Sequence, residues 1–134
     1  MRIERTLKVD TRTALVVDDE QVVRGLMRRI LERRGWQVVE SDSAERALEL
    51  LADMSLHLDL VVCDLNLPGL SGSALCGRIT AMRPELASRL VLTSGDPCAA
   101  AAELARESLR CPVLEKPFRP VDLERIAGTA LLVA

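Results

Sequence analysis

The chain has 134 residues, nearly half of them apolar, with 18 basic against 20 acidic residues and a formal net charge of -2. This length suits one compact domain, and the balanced charge with very few aromatic residues argues against nucleic-acid binding, which needs a basic surface or stacking platforms. Since no apolar stretch reaches the roughly 18 residues of a membrane helix and no signal peptide is evident, we expect a cytoplasmic protein that is not membrane-attached.

The chain alternates short apolar runs with amphipathic stretches. Residues 1–12 are mixed in charge and aperiodic, so we interpret them as a leader or linker before a single domain over residues 13–132. The apolar run Ala14 to Val17 predicts a buried strand, and helical spacing between Asp19 and Gly35 predicts the first helix. Its two faces comprise, on the apolar side, Val22, Val23, Leu26, Met27, Ile30 and Leu31, and on the other side Arg24, Arg28, Arg29, Arg33 and Arg34. We expect the arginines to be solvated, with docking of a partner as the less favoured alternative.

Four further strand and helix pairs follow in the chain. The predicted strands are Trp36 to Glu40, Leu58 to Cys63, Leu90 to Leu92, and Val113 to Leu114. The predicted helices begin at Ser43, at Ser71 or Gly72, at Pro97 and at Arg119. Most of the strands are apolar on consecutive residues, which is typical of a parallel sheet covered by helices on both faces, whereas the mixed second strand indicates an edge. The pattern predicts an α/β fold with a doubly wound, open (βα)5 parallel sheet.

Polar residues follow four of the five strands directly. The first strand is followed by Asp18-Asp19-Glu20, the third by Asp64, the fourth by Thr93-Ser94, and the fifth by Glu115-Lys116-Pro117. The carboxyl ends of parallel strands meet at one edge of the sheet, so we expect these side chains to converge there. Carboxylates that converge repel one another unless a cation lies between them, and oxygen ligands without histidine or cysteine favour Mg²⁺.

The same set of residues predicts phosphate chemistry. Lys116 offers a compact positive charge and Thr93 a hydroxyl donor, which together suit a tetrahedral dianion. Phosphoryl transfer needs an in-line nucleophile, cationic partners for the phosphoryl oxygens and little else from the protein. Asp64 is the best candidate nucleophile, because it stands alone after a central strand and can form an acyl phosphate.

Four sequence segments, ALVVDDE, VVCDLNLPGLSG, VLTSG and EKPF, resemble in this order the signature of response regulator receiver domains. The resemblance covers Thr13 to about Leu132 and implies a flavodoxin-like fold with strand order 2-1-3-4-5. It implies that Asp64 is the phosphorylation site and a metal ligand. Asp19 would bind the Mg²⁺ directly, Asp18 through water, and Asn66 through its main-chain carbonyl.

The resemblance also implies how the site would act as a switch. Thr93 would be the switch hydroxyl and Lys116 the contact to the phosphoryl group, with a cis bond between Lys116 and Pro117. The chain departs from the family at Val113, where an aromatic residue usually follows the movement of the threonine. Valine is small and stiff, so we expect the loop around Gly95 to transmit the change instead.

The function implied by the resemblance is that of a phosphorylation-activated switch in a two-component phosphorelay. The phosphoryl donor would be a sensor histidine kinase or a phosphotransfer protein, and the signal would pass to a downstream protein or a fused output domain. The domain would not be an enzyme in the ordinary sense, since it would catalyse only its own phosphorylation and dephosphorylation. It would be a monomer or a phosphorylation-dependent dimer, and it could stand alone or form part of a regulator or hybrid kinase.

Two alternative functions use similar residues. Aspartyl-phosphate phosphatases and phosphomutases carry their nucleophile in an Asp-x-Asp motif after the first strand, whereas here the first two acids are adjacent. A pseudo-receiver that is not phosphorylated and serves as a protein interaction module is the second alternative, although such domains typically lack an acid or the lysine. The sequence retains all of these residues, which favours the phosphorylated switch.

The remaining reactive residue types have no predicted chemistry. Cys63, Cys76, Cys98 and Cys111 contain no C-x-x-C pair, so we expect reduced core residues rather than a zinc site or disulfides. His57 is the single histidine and is expected to lie in a surface loop.

Overall fold

The computed structural model describes residues 11–132, in which five strands alternate with five α-helices. The strands are β1 (Arg12–Val17), β2 (Trp36–Ser41), β3 (Leu60–Asp64), β4 (Leu90–Ser94) and β5 (Val113–Glu115). The α-helices are α1 (Gln21–Arg33), α2 (Ala44–Ala52), α3 (Gly72–Met82), α4 (Pro97–Arg106) and α5 (Pro120–Leu132), and a 3-10 helix spans Pro84–Arg89. Of the expected leader, residues 1–10 lie outside the described residues, and Arg12 already belongs to β1.

All five strands are parallel and form one sheet in the order β2-β1-β3-β4-β5. The order confirms both the predicted fold class and the edge position of the second strand. In the register of the sheet, Val17 of β1 lies opposite Cys63 of β3, and Asp64 of β3 lies opposite Thr93 of β4. The residues that follow the strands therefore meet at one edge.

The core consists of two layers, one on each face of the sheet. One layer lies beneath α2, α3 and α4 and includes Leu15, Leu51 and Leu75, and the other lies beneath α1 and α5 and includes Val16, Leu31 and Leu123. Every residue of β3 is buried, because helices cover this central strand on both faces.

Local signals place the helix termini close to where the sequence predicts them. The side chains of Ser43, Ser71 and Asp96 each accept hydrogen bonds from main-chain amides in the first turn of the helix that follows. Gly35, with φ of +89°, ends the turn after α1 in a conformation that glycine adopts at little cost. The third helix begins at Gly72, one of the two predicted positions, and the fifth begins at Pro120, one residue after the predicted Arg119.

Several details differ from the sequence predictions. The 3-10 helix was not predicted, and Val22 and Leu26 of α1 are 82% and 40% exposed rather than buried. Helical spacing shows which side chains share a face, but it does not show how far the neighbouring elements extend along the helix. The buried part of α1 is accordingly confined to Met27, Ile30 and Leu31.

The cysteine prediction is wrong for one of the four residues. Cys63 and Cys76 are buried and Cys111 is half-buried, whereas Cys98 is exposed on the first turn of α4, and all four are free. The buried side chains of α4 are Ala100 and Leu104, so Cys98 faces away from the core. His57 lies exposed in a loop, as predicted. Within residues 11–132 no helix has both the length and the apolar character required to cross a membrane.

Candidate functional site

Three residues that are distant in sequence meet at the carboxyl edge of the sheet. Asp18 follows β1, Asp64 ends β3, and Lys116 follows β5. The ammonium Nζ of Lys116 lies 3.1 Å from Oδ2 of Asp18 and 3.2 Å from Oδ2 of Asp64. The structure thus brings Lys116 to the two aspartates as the sequence predicts, although 98 positions of the chain separate it from Asp18 and 52 from Asp64.

The acid group at this edge differs from the predicted one in one member. Carboxylate oxygens of Asp18, Glu20 and Asp64 all lie within 4.8 Å of one another, and Asp19, which is exposed, is not part of this group. The chain bends at Asp19, and the amide of Glu20 donates to the side chain of Asp18, which keeps residues 18 and 20 close together while Asp19 stays exposed. The direct contact of Asp19 with a metal stays a prediction, and Glu20, which was expected at this edge but was given no role as a ligand, belongs to the group.

Hydrogen bonds hold both buried carboxylates in fixed orientations. Oδ1 of Asp18 accepts a hydrogen bond from the main-chain amide of Glu20 at 2.8 Å, and Oδ1 of Asp64 accepts one from the amide of Asn66 at 3.2 Å. The second oxygen of each carboxylate contacts Lys116. Each acid therefore has one oxygen held by the main chain and one held by the lysine, which organises the pocket in advance of any ligand.

Burial and charge act against each other at these groups. Burial raises the pKa of Asp64 above its ordinary value, although the amide of Asn66 and the charge of Lys116 oppose this shift. Burial alone would lower the pKa of Lys116, but the hydrogen bonds and charges of Asp18 and Asp64 more than offset it and raise that pKa. The ammonium of Lys116 thus lies within ion-pair distance of three carboxylates, those of Asp18, Glu20 and Asp64.

Thr93 lies next to Asp64, and its hydroxyl makes no hydrogen bond. The two residues are paired in the sheet register, so their side chains project from the same face. The Oγ1 atom of Thr93 is fully buried and has no hydrogen-bond partner, alone among the buried side-chain oxygen and nitrogen atoms of the described residues. A buried hydroxyl without a partner is costly, and it marks a position where a ligand oxygen could accept its hydrogen.

Gly72 allows helix α3 to lie close to the end of β3. A Cβ atom at Gly72 would lie 2.3 Å from the main-chain oxygen of Asp64 and 2.7 Å from Cα of Leu65, which no side chain could tolerate. The amide of Gly72 also donates a hydrogen bond to the carbonyl of Leu65 at 2.9 Å. Gly72 thus determines how closely the loop after Asp64 approaches α3, a role that the sequence analysis did not assign.

Arg24 of α1 connects the site to the edge strand. Its guanidinium donates to the main-chain carbonyl of Asp18 at 2.6 Å and to Oε1 of Glu40 at 2.9 Å. Arg28 donates to the other oxygen of Glu40, which holds the pKa of that carboxyl below its usual range. The expectation of a fully solvated arginine face is wrong for Arg24, because its side chain is 14% exposed and packs between α1 and β2.

Three positions bear on how a change at the site could reach other surfaces: the Lys116–Pro117 bond, Val113 and Gly95. The Lys116–Pro117 bond is cis, as predicted. Val113, in place of the usual aromatic residue, is half-buried and packs against the core layer beneath α4. Gly95 lies exposed in the loop between β4 and α4, where an added Cβ would meet no atom within 4 Å.

An apolar groove borders the acid pocket. Its lining residues are Glu20, Val23, Leu26, Lys116, Pro117 and Phe118. It runs between α1 and the loop after β5. Leu26 of α1 belongs to its lining and is partly exposed, and Val22 of the same helix is exposed. A partner that reached the pocket from this side would contact exposed aliphatic side chains.

The donor set fits a hard divalent cation and a phosphoryl group. Oxygen ligands converge from two buried acids and one exposed acid, and the described residues bring no histidine or cysteine into this group. A divalent ion would relieve the repulsion between the carboxylates, and the free hydroxyl of Thr93 would gain a partner from a phosphoryl oxygen.

Comparisons with known proteins agree with this geometry. The sequence profile of the response regulator receiver domain matches residues 14–127. The chain is 31% identical over 120 residues to a putative two-component response regulator of Arabidopsis thaliana, covering 87% of this chain and 18% of that protein. It is 31% identical over 117 residues to the sensor kinase CckA of Brucella abortus, covering 87% and 12%. The chain therefore spans only a small part of the length of these relatives.

Solved structures give the same result for the fold. The receiver domain of NtrX from Brucella abortus superposes with a TM-score of 0.79 at 33% identity, covering 90% of this chain and 99% of that one. The signal receiver domain of an HD domain-containing protein from Pseudomonas fluorescens superposes with a TM-score of 0.80 at 27% identity, covering 91% and 95%.

Proposed function

Because the chain belongs to the response regulator receiver domain family, we propose that it is a phosphorylation-activated switch that accepts a phosphoryl group on Asp64. The observation that carries the proposal is the placement of Asp64 beside Lys116 and the unpartnered hydroxyl of Thr93. Lys116 would supply the positive charge, Thr93 the hydroxyl donor and Asp64 the nucleophile of a phosphoryl-transfer site at the carboxyl edge of the sheet.

The forward step transfers a phosphoryl group from a phosphohistidine donor. A carboxylate oxygen of Asp64 attacks the phosphorus atom, a P–O bond forms, and the P–N bond breaks with its electron pair returning to the imidazole of the donor. Lys116 and Thr93 would contact the phosphoryl oxygens, which carry the negative charge. In a separate hydrolytic step, water attacks the phosphorus atom, the P–O bond to Asp64 breaks, and inorganic phosphate leaves, which returns Asp64 to the carboxylate.

Magnesium is the cofactor that the donor set favours. Asp18, Asp64, Asp19 and the main-chain carbonyl of Asn66 would hold it, with Asp18 acting through water. When bound, the ion neutralises charge that gathers on the transferred phosphoryl group. The chain's own part is to hold the carboxylates in position through the amides of Glu20 and Asn66.

The partners follow from the same function. We expect the chain to act in the cytoplasm, with a sensor histidine kinase or phosphotransfer protein as donor and a downstream protein or a fused output domain as receiver of the signal. The donor would dock on α1 beside the pocket, where Leu26 lines the groove and Val22 adds exposed apolar surface on the same helix. Gly95 and the rest of the loop after β4 would carry the change to other surfaces, since Val113 is too small to replace the usual aromatic residue.

Intact mass measurement tests the proposal. The chain is incubated with acetyl phosphate, with and without Mg²⁺, next to an Asp64→Ala variant and an Asp42→Ala variant that alters an exposed acid. We expect the mass of one phosphoryl group in the parent chain and in Asp42→Ala, dependent on Mg²⁺ and missing in Asp64→Ala. If neither a mass gain nor a beryllofluoride-induced spectral change occurs, the chain is a pseudo-receiver and acts as an interaction module.

The docking surface needs a protein donor for its test. A Val22→Asp substitution places a charge on the exposed apolar surface of α1, away from the reacting atoms. We expect slower phosphoryl transfer from a phosphorylated histidine kinase, by about tenfold, while the rate with acetyl phosphate is unchanged. Equal losses with both donors would contradict a docking role for this surface.

A further inference from the structure

Glu20 stands at the start of α1, but its side chain does not cap the helix. Glu20 is the N-cap residue of α1, yet its carboxylate makes no capping hydrogen bond to the first turn. Its main chain is instead tied to the pocket, because its amide donates to Oδ1 of Asp18. The carboxylate is therefore free to reach toward the buried acids while the backbone beneath it is held in place.

The position of the Glu20 carboxylate puts it at the mouth of the pocket. One of its oxygens lies within 4.8 Å of oxygens of both Asp18 and Asp64, and Oε1 lies 3.7 Å from Nζ of Lys116. The side chain is 64% exposed, in contrast to the two buried aspartates. Glu20 thus adds a third negative charge on the open side of a pocket whose inner side is already acidic.

The charges at this edge leave room for a divalent cation. Three carboxylates and the single ammonium of Lys116 give a local charge of -2 when all are ionised, which a doubly charged ion would balance. The buried hydroxyl of Thr93, which has no partner, is an independent sign that the pocket is completed by a ligand. An ion pair with Lys116 alone would contribute little at so exposed a position.

We propose that Glu20 sets the affinity of the pocket for the divalent cation, as a third carboxylate that attracts the ion at the mouth and holds Lys116 when no ion is bound. The inference rests on the proposed function, since it concerns the same metal site. It assigns to Glu20 a contribution that the family resemblance places on Asp18, Asp19, Asp64 and Asn66 only.

Calorimetric titration of Mg²⁺ into the full chain tests this role. Glu20→Gln keeps the shape and polarity of the side chain but removes its charge, and Glu115→Gln is the matched control, because Glu115 is exposed at the same edge of the sheet and lies outside the acid group. We expect the dissociation constant for Mg²⁺ to rise about tenfold in Glu20→Gln and to stay unchanged in Glu115→Gln. The increase in melting temperature on addition of Mg²⁺ should shrink in Glu20→Gln alone.

The outcomes separate this inference from the proposed function. If the parent chain binds Mg²⁺ and is phosphorylated while Glu20→Gln binds the ion equally well or more tightly, Glu20 is only a partner of Lys116 and the inference is wrong. If the parent chain itself binds no Mg²⁺, the metal-dependent function fails and the role of Glu20 fails with it. A tenfold loss confined to Glu20→Gln supports both.

Discussion

Arg83 and Lys116 are two largely buried cationic side chains at opposite ends of the sheet, and they differ in what surrounds them. Arg83, at the end of α3, is 3% exposed and donates hydrogen bonds from Nε, Nη1 and Nη2 to main-chain carbonyls. These carbonyls, of Leu51, Leu56 and Asp53, belong to the end of α2 and the loop behind it, where helical partners are lacking. Lys116 instead contacts carboxylates that repel one another, next to a hydroxyl without a partner.

The surroundings of Arg83 are those of a cation that stabilises the fold, whereas the surroundings of Lys116 are those of a cation in a ligand site. At the amino end of the sheet every donor atom of Arg83 has a neutral acceptor, so this region is complete without any ligand. At the carboxyl end the excess of negative charge and the unused hydroxyl make the folded chain less stable than it could be, and a cation and a phosphoryl group would correct both. Substitutions at the two ends should therefore change stability in opposite directions.

The largest effect is expected at Arg83. Arg83→Ala removes three hydrogen bonds to carbonyls of a partly buried segment, of which the carbonyl of Asp53 keeps a bond from the amide of Leu56, so we expect the free energy of unfolding to fall by about 3 kcal/mol. Urea denaturation measures the change, with Arg78→Ala on the exposed side of the same helix as control. A loss equal to that of the control would show that the carbonyls are satisfied equally well by water.

The opposite sign is expected at Asp64. Asp64→Asn removes a buried negative charge from the acid group, so in the absence of divalent cations we expect the free energy of unfolding to rise by about 1 kcal/mol. Added Mg²⁺ should stabilise the parent chain and leave Asp64→Asn nearly unchanged. Urea denaturation with and without Mg²⁺ checks both parts, with Asp42→Asn as a control for an exposed acid, and a variant less stable than the parent would contradict the comparison.

A smaller change in stability is expected when the hydroxyl of Thr93 or of Thr80 is removed, and its sign should differ between the two. Thr93→Val removes a buried hydroxyl that has no partner, so stability should stay the same or rise by up to about 1 kcal/mol, while the response to phosphorylation is lost. Thr80→Val removes a hydroxyl that donates to the carbonyl of Cys76 at 2.9 Å and should lower stability. Thermal unfolding of both variants tests the contrast, and similar losses in both would mean that the hydroxyl of Thr93 has a partner in solution.

The smallest effect concerns pH and the edge strand. The hydrogen bond from Arg28, followed by that from Arg24, lowers the pKa of Glu40 in the folded chain. A lowered pKa means that the stabilisation is present above the ordinary pKa of the carboxyl and is lost as the pH falls through the folded value. The stability difference between the parent chain and Glu40→Gln, below about 1 kcal/mol at neutral pH, should therefore shrink on acidification, whereas a constant difference would assign it to packing.

The predictions that succeeded depend on positions relative to strands. Asp64, Thr93 and Lys116 each occupy the end of an apolar run, or the position directly after one, and parallel strands bring such positions to one edge whatever the details of packing. The edge position of β2 was likewise visible in its mixed composition, since an edge strand lacks a neighbour on one side.

The predictions that failed depend on distances between elements. The exposure of Val22 and Cys98 follows from where neighbouring elements end, which periodicity within one helix does not contain. The roles of Glu20 and Gly72 follow from close approaches of main chain and side chain at the site, and neither residue type is unusual at the start of a helix. Arg24 is one of four arginines on α1, and its distances to Asp18 and Glu40 set it apart.

The alternation of strands and helices, the parallel sheet and the position of Asp64 at the end of a central strand could all be predicted from the sequence, because they follow from local periodicity and from the residue at the end of each strand. Which charges share a partner could not be predicted in this way. Lys116 joins Asp18 across 98 positions of the chain, and Arg83 reaches carbonyls about 30 positions away. Such contacts depend on how the layers pack in three dimensions, which no local pattern of residues encodes.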